Sequence, residues 1–333
     1  MTRQAIILFL ISLLVLGCEA ELDVFREGEP TPVVYCILDQ EKTTQSLRLS
    51  RSYNSFAAYE APESSDSLLF DRALDVAIEQ VNGTTVEKRA FFTPVDVKKD
   101  TGFFPVTEHW VYQSDMEILP NTTYKLIIYL NESDKIIYST CTTVTPFDIV
   151  NPAYPEVRDI NFQAEHNPSF YWTQSTNAGV YQLGFFLHYD EYIVDEVESK
   201  TMNLSFNTKF ILENSGHFFS QSINSNQFYI KLNDQLESDP AVFRKCTGLD
   251  AYVFCGGEEL AYLIRLQTGG QTFSLMEYTN LYNGIGVFSS RLTRQIKGFK
   301  LTDQSIDSLA YGKYTYDLNF LDRNGVREKG GGN

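Results

Sequence analysis

The chain is short of positive charge. It has 27 Lys and Arg against 43 Asp and Glu, a net charge of −16 over 333 residues. A nucleic-acid or anionic-lipid surface needs clustered cations that displace counterions from phosphate. The densest groups here are Lys98-Lys99 and the dispersed Arg291, Arg294, Lys297 and Lys300, which read as solvated strand edges. No nucleic-acid partner is expected. Histidine is equally scarce, with 4 residues far apart, and no Cys-x-x-Cys occurs; the usual spacing of zinc ligands is missing. There is no Gly-x-Ser-x-Gly elbow, no phosphate-cradling glycine loop, no His-Glu-x-x-His and no EF-hand loop. These absences together argue for no catalytic residues, no metal and no cofactor, hence for a protein that is not an enzyme.

Long apolar runs are also missing, with one exception at the start of the chain. Arg3 is followed by an apolar run from Ala5 to Leu16, then Gly17 and Cys18. At ~1.5 Å per residue such a run reaches only about 18 Å, too short for a ~30 Å hydrocarbon core but right for the central region of a signal peptide. Val15-Leu16-Gly17-Cys18 resembles the bacterial lipobox, which implies cleavage before Cys18 and lipid on its thiol. Lipid chains contribute about 0.8 kcal/mol per buried methylene, so several of them anchor a protein permanently. Glu19, Glu21 and Asp23 follow at once. Acidic residues in that place resemble the surface-export signal of Bacteroidetes lipoproteins, and surface display is favoured over a periplasm-facing anchor.

Besides Cys18 there are Cys36, Cys141, Cys246 and Cys255. An even number in an oxidising compartment makes disulfides the default. Proximity favours Cys246 with Cys255, leaving Cys36 with Cys141; the alternative for the latter is two unconnected buried thiols. The chain-entropy model gives such bridges about 3 and about 4 to 5 kcal/mol.

Strand patterns dominate what remains. Val33 to Leu38 is a continuous apolar, β-branched run, and Gln45 to Ser52 alternates with Leu47 and Leu49 on one face. Leu74, Val76 and Ile78 alternate with Asp75, Ala77 and Glu79, ahead of an Asn82-Gly83 turn. Tyr53 to Phe70 has no clean period and reads as a long loop. Leu119-Pro120-Asn121-Thr122-Thr123-Tyr124 resembles the tyrosine corner of fibronectin type III and related sandwiches, in which a tyrosine hydroxyl bonds back to the backbone. A hairpin follows, Tyr124 to Leu130 returning as Lys135 to Val144. Three prolines between Thr145 and Pro155 mark a boundary.

The expected architecture is mainly β. It comprises a signal peptide (1–17), a lipid-anchored tether (18–31), an immunoglobulin- or fibronectin-III-like sandwich (32–147), a second β-rich domain with short helical insertions (148–329) and a flexible tail (330–333). In the second half, Ser169 to Trp172, Asn177 to Leu187, Met202 to Phe206, Gln227 to Leu232, Leu260 to Leu266 and Tyr314 to Phe320 read as strands, and Asn233 to Lys245 and Ser274 to Leu281 as helices.

The lipobox, Pro32-Val33-Val34-Tyr35 with Ile37-Leu38-Asp39, Leu49-Ser50-Arg51, Leu74-Asp75-Val76, Gly102-Phe103-Phe104 and the tyrosine corner together resemble a group of uncharacterised Bacteroidetes envelope lipoproteins. Gly286 to Ser290 extends the likeness into the second half. The resemblance implies an Ig-like sandwich followed by a β-rich domain, in a group of which some members are encoded beside TonB-dependent outer-membrane transporters. It carries over no catalytic residue. Cys36 stands where the group is expected to have a small residue.

Aromatics make up 14% of the chain. Trp110, Trp172 and Phe218-Phe219 are candidate platforms for stacking a glycan, although strand cores account for most aromatics. His188-Tyr189-Asp190-Glu191 opens an acidic stretch that alternates like a strand with a solvated rim. An enzyme would require His188 or His109 to meet carboxylates in space. His166 and His217 have no partner by spacing. Asp66-Ser67-Leu68 and Asp307-Ser308-Leu309 resemble the short O-glycosylation motif of Bacteroidetes. The leading expectation is a non-enzymatic accessory subunit of an outer-membrane transport or secretion complex, with a membrane-protein partner; the alternatives are a surface glycan-binding lipoprotein and, third, a hydrolase.

Overall fold

The structure is a computed structural model and describes residues 31–51, 70, 74–97, 110–130, 135–163, 165–193, 196–211, 218–268 and 279–327. Cys18, the tether up to Pro30, most of the loop after Tyr53, His109, His217, Asp66 to Leu68 and the glycine tail lie outside the described residues. The chain is mainly β. Seven strands come first: β1 (Pro32–Asp39), β2 (Gln45–Arg51), β3 (Asp75–Asn82), β4 (Thr85–Asp96), β5 (Trp110–Ser114), β6 (Thr123–Leu130) and β7 (Lys135–Thr142). Short strands β8 (Ile149–Asn151), β9 (Asp159–Ile160) and β10 (Ser169–Thr173) lead to long β11 (Ala178–Ile193) and β12 (Glu196–Phe210). Then come β13 (Phe218–Ser222), helix α1 (Ser225–Gln235), β14 (Val242–Gly257), helix α2 (Glu258–Thr268), β15 (Ile285–Leu301) and helix α3 (Asp303–Tyr311).

One sheet path runs β12-β11-β14-β15-β1-β2-β5-β4-β3-β6-β7, with β9 joined to β15; β13-β10-β8 form a separate small sheet. Its hinge is the parallel pairing of β1 with β15, Val33 opposite Ile285 through Asp39 opposite Arg291. In β1, Val34, Cys36 and Leu38 are buried while Val33, Tyr35 and Ile37 are half-buried, so both faces of the strand are largely covered, as its continuous apolar run requires. Gly286 makes the approach of β15 possible. Its φ is +118°, and a Cβ there would lie 2.0 Å from the Val34 carbonyl oxygen.

Two apolar clusters flank this hinge. The first gathers side chains of β1 to β7 with Leu281 and Phe288. The second runs from Val144 to Phe320 and includes Leu292, Phe299 and Leu301, so β15 serves both. Val144, just ahead of the proline-rich segment, and Phe147 within it pack in the second cluster. In the first unit β4 joins two layers, pairing with β3 up to Phe92 and with β5 from Thr93. The fully buried Tyr124 accepts a hydrogen bond from the Leu119 backbone N–H at 2.8 Å. The second unit repeats the device, as the Tyr181 hydroxyl accepts from the Ser175 N–H at 2.6 Å.

Local structure departs from the sequence reading at several places. Gln227 to Leu232 is helical, not extended: Asn224 caps α1 by accepting from the N–H groups of Asn226 and Gln227, and buried Ser225, Phe228, Tyr229 and Leu232 recur at helical spacing. Leu260 to Leu266 lies in α2, which has Glu258 and Glu259 in its first turn and Arg265 in its last, each favourable to the helix dipole. Asn233 to Lys245 is the end of α1 followed by the start of β14, with Pro240 in the gap. Tyr314 to Phe320 holds a single 3-10 turn, Tyr316–Leu318, closed by Asn319 at φ 55°. Of the helix expected over Ser274 to Leu281, only Thr279 to Leu281 are described, and Thr279 bridges Gly286. Helix α3, which the sequence reading passed over, is capped by Thr302 accepting from the Ser305 N–H.

Gly286→Ala is expected to lower the unfolding free energy by well over ~1 kcal/mol, because strain and clash combine. Gly83→Ala is the control: it shares a positive φ but has nothing within 4 Å of the new Cβ. Urea unfolding of both should show the larger loss at Gly286; equal losses would mean that the β1–β15 contact is not what Gly286 protects.

Candidate functional site

The candidate residues end up in quite different places. The described cysteines, Cys36, Cys141, Cys246 and Cys255, are all free thiols, which corrects the expectation of disulfides. Cys246 and Cys255 share β14. Nine positions of extended chain at ~3.3 Å put them about 30 Å apart, whereas a disulfide needs Cα atoms within about 7 Å. Cys36 and Cys141 reach the same core from β1 and β7, close enough for Cys36 to raise the Cys141 thiol, and remain unbridged. Burial pushes the thiols of Cys36, Cys246 and Cys255 up to about 12. Cys141 is raised by burial first, then by the nearby Glu259 and Cys36. Thiols held so far from the thiolate are inert.

Trp172 is 0% exposed, packed edge-on against Tyr181 at 5.6 Å and near-parallel to Phe219 at 6.5 Å, so it is not a ligand platform. Trp110 is half-buried at the head of β5 and packs against the first core. Leu119, Pro120 and Tyr124 form the corner described above. In Asp307-Ser308-Leu309, Asp307 binds Arg323, the Ser308 hydroxyl donates to the Gln304 carbonyl and Leu309 is buried, so helix α3 already uses the motif.

His188 does meet a carboxylate. Its Nε2 lies 3.1 Å from Asp250 Oδ2 and its Nδ1 2.9 Å from Thr201 Oγ1, across β12, β11 and β14. The composition is that of a hydrolase triad, but the geometry is a cross-strand tie. Asp250 is held further by the Gly298 N–H at 2.9 Å and the Gln295 amide at 3.2 Å. Thr201 lines neither of the two cavities described below. Nearby, Glu191 and Arg244 form a buried ion pair at 2.8 Å, with Arg244 also donating to the carbonyls of Leu318 and Glu237 and Lys200 bridging to Glu191. Burial pushes the Glu191 carboxyl up, but the hydrogen bonds from Lys200 and Arg244 outweigh it and hold it below its ordinary value. Among the described residues no group of three or more His, Cys, Asp or Glu could hold a metal ion.

One cavity of about 650 Å³ lies where β14, β15 and the start of α3 meet, lined by Lys245, Cys246, Lys300, Asp159 and Asp303 among others. Its charges offset one another. The second, about 500 Å³, lies on the outer face of the first unit and has a more selective lining. Strand pairing explains it. Phe91 on β4 stands opposite Ala77 on β3, Ala77 opposite Ile127 on β6, Ile127 opposite Tyr138 on β7, and Tyr138 bridges Tyr282. An apolar row therefore crosses four strands. Ala77 and Ile127 are buried and make its floor, while Phe91 is 59%, Tyr138 41% and Tyr282 56% exposed. Tyr129 and Ile136 form a second row beside it.

The groove is rigid. The Tyr282 N–H donates to the Tyr138 carbonyl at 2.8 Å, the Asn283 amide to the Ile136 carbonyl at 3.0 Å, and the Ser139 hydroxyl to the Asn280 carbonyl at 2.6 Å. These contacts also cover the edge of β7. The rings of Tyr138 and Tyr282 lie 4.7 Å apart at 31°, and the Lys125 ammonium sits 5.7 Å over Tyr138. Sequence reasoning found the hairpin but not the groove. The available signal was Tyr129, Ile136 and Tyr138 at positions that alternation assigns to solvent; exposed apolar side chains on one sheet face mark contact surfaces.

No protein-family model matches the chain, and no curated protein matches it. Among solved structures, the crystal structure of DIP-gamma IG1+IG2 is similar at 9% identity, over 68% of this chain and 90% of that one, with a TM-score of 0.16.

Two measurements follow from these ties. Alkylation of the denatured, unreduced protein should label Cys36, Cys141, Cys246 and Cys255 alike; a protected pair in the mass spectrum would contradict the free thiols. Because the folded Glu191 carboxyl lies below the unfolded value of about 4.3, its contribution to stability is present above that pH and lost as pH falls through the folded value. Glu191→Ala should cost about 3–5 kcal/mol at neutral pH by stranding Arg244. Glu191→Gln should flatten the acid limb of the stability profile, measured by urea unfolding from pH 7 to pH 3.

Proposed function

We propose that this chain is a lipid-anchored, non-enzymatic binding subunit of the cell envelope, serving an outer-membrane transport complex, and that it meets its ligand through the tyrosine groove of the first unit. The observation that carries this reading is the groove itself: a preformed, aromatic-lined depression on a rigid sheet, whose described lining residues include no His, Cys, Ser, Asp or Glu. A lining of that kind suits contact with a partner. The sequence supports the anchor through Val15 to Cys18, and no helix among the described residues is long and apolar enough to cross a membrane. An anchor at Cys18 followed by the short stretch to Thr31 holds β1 close to the bilayer. That arrangement suits a subunit docked on a membrane complex better than a freely ranging capture arm.

Gentle solubilisation of outer membranes and native isolation of the chain should recover a stoichiometric membrane protein. Cys18→Ala should abolish that recovery and move the chain to the soluble fraction. Repeated isolation of the wild-type chain alone would sink the subunit reading.

A further inference from the structure

We infer that the cavity at the fork of β14 and β15 is a second binding site, separate from the tyrosine groove, and that it takes a free dicarboxylic α-amino acid. Strand register builds the fork. β14 and β15 pair as far as Leu249 opposite Phe299. Beyond that point β14 stays with β11, while β15 turns to β9 and sets Lys300 opposite Asp159. The cavity of about 650 Å³ opens where the two strands part, with Leu301 and Ile306 in its apolar lining and Lys245, Lys300 and Asp159 among its charged groups.

The charged groups point to the ligand. Elsewhere in the sheet, a carboxylate standing directly opposite a cation on the neighbouring strand forms an ion pair: Asp39 with Arg291 at 2.9 Å, Glu79 with Arg89 at 2.6 Å and Glu191 with Arg244 at 2.8 Å. Two opposed sets break this pattern, Asp159 with Lys300 and Asp190 with Lys245, and both place their lysine at this cavity. Asp190 is taken by the Ser199 hydroxyl at 2.7 Å, and Asp303 at the start of α3 by Arg323 at 3.8 Å. Lys245, Lys300 and Asp159 are exposed and enter no ion pair or side-chain hydrogen bond. The unengaged set is therefore two ammoniums and one carboxylate. A dicarboxylic amino acid carries the reverse, two carboxylates and one ammonium, so the charges match one for one. Lys300 and Asp159 stand on neighbouring strands about 4.8 Å apart, and a ligand with both charges on one carbon meets both together. Lys245, on the other prong of the fork, is left for the second carboxylate, with Leu301 and Ile306 beside the methylenes between. Hydrogen bonds between such ionised groups are the strong ones.

Calorimetric titration of the full-length chain in detergent provides the test, with L-glutamate and L-aspartate as probes. L-glutamine, which lacks the second carboxylate, and glutarate, which lacks the ammonium, are the controls. At least one probe should bind at least tenfold more tightly than both controls, and raising salt should weaken it. Lys300→Ala should weaken it tenfold or more. Lys245→Ala should erase the preference over glutamine, and Asp159→Asn the preference over glutarate. All three side chains are exposed, and thermal melts of the variants separate a folding defect from lost binding. Tyr282→Ala, in the tyrosine groove, should leave binding intact. No binding of either probe, equal binding of glutamine or glutarate, or indifference to Lys245→Ala, Lys300→Ala and Asp159→Asn alike would each overturn the inference, and so would loss of binding in Tyr282→Ala, which would put the amino acid in the groove instead.

Discussion

The parallel pairing of β1 with β15 is the constraint on which the remaining architecture depends. It brings residues 33–39 beside residues 285–291, so the first strand of the chain is completed by nearly the last. Parallel neighbours need a crossover connection, and here everything from β2 to α2 serves as that connection. Loop-closure entropy opposes so distant a contact. The two apolar clusters on either side of β15 offset it, because the strand places Phe288 in one and Leu292, Phe299 and Leu301 in the other. Gly286 is the point where this joint has no tolerance, since the Val34 carbonyl occupies the space of a side chain.

What could be read from the sequence followed how local the deciding physics was. β1, β2, β3 and the β6–β7 hairpin each carry their own alternation or apolar run, and the corner around Leu119 and Tyr124 is spelled out within six residues. The helices were harder. In α1 the strand-like run Gln227 to Leu232 mixes aromatic and β-branched residues, and the cap at Asn224 decides the matter by satisfying backbone N–H groups. In α2, Leu260, Tyr262, Leu263 and Ile264 form an apolar run interrupted only by Ala261, and helix wins because the chain packs onto Gly179 and Gly256, where a Cβ would collide with Ala261 or Leu260. Such tertiary packing has no local signature. The cysteine pairing failed for the same reason: proximity in sequence means separation in space when both residues lie along one extended strand.

The candidate site was legible only in part. Trp172, chosen for its size, is consumed by the second core, and Trp110 by the edge of the first. The tyrosines that form the groove were present in the hairpin reading, but their partner Tyr282 comes from the other end of the chain, beyond reach of any pattern. His188 shows the opposite case. It meets a carboxylate as a catalytic histidine would, yet the same sheet geometry that brings Thr201, His188 and Asp250 together also binds Asp250 from β15 on its far side.

The seal that Tyr282 makes on β7 gives the groove a history as well as a shape. One wall is made by residue 138 and the other by residue 282, so a chain emerging N-terminus first forms the hairpin long before the wall that completes the site. Recognition is thereby postponed until the last strands are in place. A ligand that spanned both walls would bind only the finished molecule, and by binding would add its own affinity to the joint between the beginning and the end of the chain. On that reading the groove would double as a clasp, because an occupant would hold the β1–β15 hinge closed.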